Sequence, residues 1–138
     1  MGCMVVVVVV VFAWFAGLQT WFWFLYGPIA ESVEPMYGWS DGTVSLLLNW
    51  GPIMYIAVSL PCAALLDTEQ GLRHCVRGSA TIVFVAAAMR WYQAFYMQKG
   101  PSSVHTIHAA AILNSIPGPV AGGAIGKLSQ DWFPADQR

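Results

Sequence analysis

Gln19, Trp23 and Tyr26 are spaced i, i+4 and i+7, which places one amide and two aromatic rings on a single helix face. Such a face can hold a cationic or planar ligand by cation–π attraction or stacking. A membrane-interface aromatic belt would equally account for the run from Trp21 to Tyr26. His105 and His108 lie one helical turn apart. Imidazoles there suit proton sensing, proton coupling or ligation of a haem iron, and ordinary interfacial histidines are the competing account. They could also ligate a metal, but without Cys or carboxylate neighbours the signal is weak, and neither a metal nor a cofactor is expected. Asn114 has two readings as well, a bond to a neighbouring helix or a contact with a solute. No nucleophile, base and orienting partner recur at catalytic spacing, and no Gly-rich phosphate loop is present, which argues against an enzyme.

The elements that carry these residues follow from composition. Of 138 residues, 57% are apolar and only 9% charged, with a formal net charge of −1. An ordinary soluble domain carries about a quarter charged residues, so this chain lacks the polar surface to face water. It has no basic patch for nucleic acid, and the apolar excess excludes disorder. The class is an all-α membrane protein whose first partner is the lipid bilayer. Cys3, Cys62 and Cys75 show no paired spacing and read as small apolar residues.

A membrane span needs about 20 apolar residues, and four are expected: roughly 4–26, 43–66, 76–96 and 104–126. The first begins in the run Val5 to Val11 and continues too far to be a cleaved signal. The lack of a polar leader before it suggests that the chain's true start lies upstream. A loop with Glu31, Glu34 and Asp41, punctuated by Pro35, Gly38 and Gly42, joins the first two spans. Gly118, Gly122 and Gly126 offer a smooth face for close helix packing, and Pro117 and Pro119 should break the backbone ladder beside it. A Gly-Pro core recurs at Gly27-Pro28, Gly51-Pro52 and Gly118-Pro119, an echo too short to establish a repeat.

Lys and Arg in short loops mark the cytoplasmic side. Arg73, Arg77, Lys127 and Arg138 stand against Lys99, which puts the N-terminus, second loop and C-terminus in the cytoplasm. Twelve residues separate Arg77 from Arg90, about 18 Å of helix. Arg90 is therefore carried inside the membrane or near its edge. It either attracts an anionic solute group or pairs with Glu31, Glu34 or Asp41, or it snorkels to the headgroups beside Trp91 and Tyr92.

Three segments share an order and spacing with a known family. Asn49-Trp50-Gly51-Pro52-Ile53 opens the second span, Leu65-Leu66-Asp67 with Gly71-Leu72-Arg73 closes it, and Asp131-Trp132-Phe133-Pro134-Ala135-Asp136-Gln137-Arg138 ends the chain. Over about residues 18–138 the chain resembles the major facilitator superfamily, and within it solute carrier family 49, the feline leukaemia virus subgroup C receptor-related transporters. The resemblance implies twelve helices in two six-helix halves, of which this chain supplies four from the N-terminal half. The partners would then be the missing remainder of the transporter and a small organic solute.

In that family Trp23 occupies a position resembling the ligand-contacting tryptophan of the choline-transporting members. Asp67, Gly71 and Arg73 resemble a gating motif that biases inward-facing and outward-facing states. One departure is plain: three residues, Thr68-Glu69-Gln70, separate Asp67 from Gly71 where the family has two, and Glu69 replaces a basic residue. The resemblance implies transport by alternating access of a choline-like amine, haem or a vitamin such as pyridoxine. It also implies a multi-pass location in an endolysosomal or plasma membrane. The rival reading is a self-contained four-helix membrane protein acting in assembly or interaction.

Overall fold

A computed structural model describes residues 2–97 and 100–132. Six helices succeed one another: α1 (Gly2–Phe24), α2 (Ala30–Tyr37), α3 (Asp41–Leu66), α4 (Gly71–Tyr96), α5 (Pro101–Ser115) and α6 (Gly118–Trp132). No strand occurs among the described residues. Lys99, Arg138 and most of the Trp-Phe-Pro segment, residues 133–138, lie outside them.

α1 is apolar apart from Gln19 and Thr20, and Val6, Val7, Val10, Val11, Trp14 and Trp21 are exposed along it. It stops at Phe24, two residues before the expected end. Pro28 has no N–H to bond the Phe24 carbonyl, and the amide of Gly27 takes that carbonyl instead. The segment that follows corrects the expected loop, because residues 30–37 form the two-turn helix α2. Its end depends on Gly38, whose φ of 70° lies in the left-handed region and lets its N–H reach the Glu34 carbonyl. Ser40 then caps α3 by accepting from the Thr43 amide at 3.3 Å. Val33 and Trp39 fold α2 back onto Val44 and Leu47 of α3 and onto Ile107 and Ala111 of α5.

α3 matches the expected second span within two residues. α4 starts five residues earlier than apolarity suggests, because the helix runs on through the polar turn that precedes Val76. The expected fourth span, 104–126, is two helices. Pro117 and Pro119 withhold the N–H groups that the Leu113 and Ser115 carbonyls would accept, and the chain breaks at Ile116–Pro117. α5 packs against α1, α3 and α4, and α6 lies mainly on α3 and α4. The glycine stripe does not form a tight helix seam: beside Gly118 and Gly122 stand side-chain atoms of Gln19 and Tyr55, and the Cβ position of Gly126 is open.

Among the described residues two helices are long and apolar enough to cross a membrane, Met4–Phe24 and Asp41–Leu66. α5 and α6, at 15 residues each, reach only about 22 Å, short of a hydrocarbon core. Several polar side chains join an interior that is otherwise apolar, and large apolar side chains face outward. Gln19, Arg90, Gln93, Ser103 and Asn114 are buried, and Leu60, Ile56, Phe84 and Trp21 are the most exposed large hydrophobic residues among those described. Apolar side chains turned outward, with the few buried polar groups largely hydrogen-bonded to one another, suit a lipid solvent.

Candidate functional site

Trp23 is held by an arrangement that the Asn49–Ile53 segment creates. Pro52 has no N–H for the Leu48 carbonyl, so that acceptor is free in mid-helix. The Trp23 indole N–H fills the vacancy, donating to the Leu48 oxygen at 2.8 Å. Gly51 makes the approach possible, since a Cβ there would overlap the indole ring. Trp23 thus ties α1 to α3 with its only hydrogen-bond donor, leaving the ring faces for stacking. Phe24 covers part of one face at 4.9 Å between centroids.

Gln19 and Asn114 meet each other. The Gln19 side-chain amide donates to the Asn114 backbone oxygen, and the Asn114 amide donates to the Gln19 backbone oxygen, both at 3.1 Å. The pair joins α1 to α5 across 95 residues of sequence and is 4% and 1% exposed. Both amide N–H donors serve helix contact, yet the Asn114 Oδ1 is buried without a hydrogen-bond partner. A nearby polar layer joins α4 to α5, where Gln93 donates to the Ser103 hydroxyl at 2.7 Å. Sequence reasoning missed that pair, because neither residue stands out within its own helix.

Arg90 folds inward and is only 7% exposed, so it does not snorkel. Its guanidinium donates to the Phe22 carbonyl and lies over the rings of Phe22, at 5.3 Å, and Tyr26, at 5.8 Å. Phe22 is in the last turn of α1, whose carbonyls lack helical partners, so Arg90 caps a helix C-terminus with a positive charge. No ion pair joins it to Glu31, Glu34 or Asp41 among the described residues, and its Nε is buried without a partner. Tyr26, besides meeting Arg90, sits edge-on to Trp39 at 5.7 Å. In α2, desolvation raises the Glu34 carboxyl over its ordinary range, and the charge of Asp41 adds to the effect.

His105 and His108 part company. His105 is exposed. His108 is half-buried and accepts at Nδ1 from the Trp50 indole N–H of α3 at 3.0 Å. Trp50 belongs to the segment that marks the family resemblance, but its pairing with a residue 58 positions away has no local signature.

At the opposite end, Asp67 caps α3 and Gly71 begins α4. A Cβ on Gly71 would run into the Leu65 backbone oxygen, so the tight turn itself demands glycine there. Asp67 and Arg73 are both exposed, and no ion pair joins them among the described residues. Cys62 and Cys75 are free thiols. No group of three His, Cys, Asp or Glu that could hold a metal occurs among the described residues.

The sequence as a whole has counterparts. It is 32% identical over 133 residues to the solute carrier family 49 member 4 homolog of Xenopus tropicalis, and equally so to that of Xenopus laevis. Those matches take in 95% of this chain and 28% of each relative, so the chain spans little more than a quarter of their length. No family model matches the chain, and no solved structure does. Along nearly its whole length the chain is thus similar to part of these solute carrier family 49 member 4 homologs.

Proposed function

We propose that this chain is part of a multi-pass membrane transporter of the major facilitator superfamily. Its role would be to move a small organic solute by alternating access. The observation that carries the reading is the 32% identity to solute carrier family 49 member 4 homologs across 95% of the chain. The large apolar side chains exposed on α1, α3 and α4, with Gln19, Arg90 and Asn114 buried, support it. Within the family, the three shared segments are most like the member named disrupted in renal carcinoma 2. In this proposal α1, α3, α4 and the α5–α6 pair are the first four spans of an N-terminal six-helix half. The solute is a choline-like amine, haem or a vitamin such as pyridoxine, and the membrane is endolysosomal or the plasma membrane.

The proposed contacts are Trp23, through its ring faces, with Gln19, Tyr26 and Asn114 around it. Asp67, Gly71 and Arg73 form the gate, and Arg90, His105 and His108 supply charge and protons. Replacing the matching segment of the Xenopus tropicalis homolog with this chain tests the reading. The chimera should take up labelled choline or pyridoxine in cells, and Trp23→Ala should weaken apparent affinity at normal membrane expression. A correctly inserted chimera that moves no such solute would overturn it.

A further inference from the structure

An indole N–H can only donate, so whatever it bonds must present a lone pair. The partner of Trp50 is the Nδ1 of His108, at 3.0 Å with the rings 75° apart. That nitrogen is therefore unprotonated, and an uncharged imidazole must carry its one proton on Nε2. His108 is half-buried, and its Nε2 is not among the sealed polar atoms that lack partners. Nor does a hydrogen bond occupy Nε2 among the described residues. His108 thus combines a fixed, internally bonded nitrogen with an open one.

We infer that Trp50 is a positioning residue that holds His108 as the Nε2–H tautomer. The imidazole then offers a solute a hydrogen-bond donor and withholds a metal-ligating lone pair. The solute class this favours bears an oxygen acceptor (a hydroxyl, carbonyl or carboxylate oxygen). It disfavours haem held through iron by His108, since a neutral imidazole ligates iron through its bare nitrogen and Trp50 occupies that one. The inference deepens the transporter reading and rests on it for the word solute; the tautomer does not depend on it.

The test uses the full chain in lipid nanodiscs at neutral pH, with histidine labelled by nitrogen-15. The His108 nitrogens should resonate as a bare Nδ1 and a protonated Nε2. Trp50→Phe keeps the aromatic ring and removes the donor, and should shift His108 to a mixture of tautomers. Haemin titration of the wild-type chain and of His108→Gln should give the same spectra. A protonated Nδ1 in the wild type overturns the inference, as does a tautomer unchanged by Trp50→Phe or a low-spin haem signal lost in His108→Gln. Should Trp50→Phe fail to fold, the wild-type nitrogen spectrum and the haemin comparison still decide. Failure of the chimera to transport, with the Nε2–H signature intact, would count against the transporter reading alone.

Discussion

The two ends of the bundle are built on opposite principles. At one end Val33, Trp39, Val44, Leu47, Ile107 and Ala111 form a cluster with Tyr26, Tyr37 and Trp50 packed on it. Rings stack there, as Tyr37 does on Trp39 at 4.9 Å, and side chains bond across helices. At the other end Leu66, Cys75, Val120 and Ala124 make a small aliphatic cluster, bordered by a turn with almost no spare volume. The first end is held by directional contacts that can be exchanged one at a time. The second is held by fit, which is kept or lost as a unit. Hydrogen bonds and stacking each contribute about 1 kcal/mol, whereas a backbone collision admits no partial relief.

The largest effect should therefore come from Gly71→Val. Its side chain would strike the Leu65 carbonyl, and the turn would have to be rebuilt at a cost of about 3 kcal/mol or more. Thermal unfolding of the chain in mild detergent should fall by many degrees or lose cooperativity. A valine tolerated within a degree would show that the second end is not governed by fit. Trp23→Phe is the matching test at the far side. It removes the donor to Leu48 and keeps most of the ring, so the loss should be about 1–2 kcal/mol. Making it in a Gly51→Ala background should yield a smaller increment, because the alanine already displaces the indole.

Glu34→Gln should do least. Its carboxyl is raised, so the folded chain binds a proton there more readily than the unfolded chain does. The charge consequently opposes folding at neutral pH. Lowering the pH through the raised range should stabilise the wild type slightly, and Glu34→Gln should lack that increment while being marginally more stable at neutral pH. Melting temperatures of both chains against pH would show it, and parallel curves would remove Glu34 and Asp41 from the account of the aromatic end.

Much of this architecture is legible in the residues, and the gaps have physical causes. Apolar length locates α1 and α3, and Pro117 with Pro119 marks where the fourth stretch must break. α2 is hidden because eight residues containing Pro35 and two carboxylates have no apolar period of their own; only the docking of Val33 and Trp39 makes them a helix. Period also selects Gln19, Trp23 and Asn114 as residues that need an explanation. It cannot name their partners, since those stand on other helices, 25 or 95 positions away. Arg90 shows the same limit. Spacing predicts a place in or near the membrane, but the carbonyl that holds it, at the end of α1, has no local signature.

That last contact bears on how the chain is made. The carbonyl that accepts from Arg90 is synthesised 68 residues before it. On the membrane reading, α1 leaves the ribosome with an unsatisfied end, and α4 later arrives with a cation that lipid alone would reject. Each supplies what the other lacks. The contact is complete only once α4 has been made, so the end of α1 stays open while α2 and α3 are synthesised.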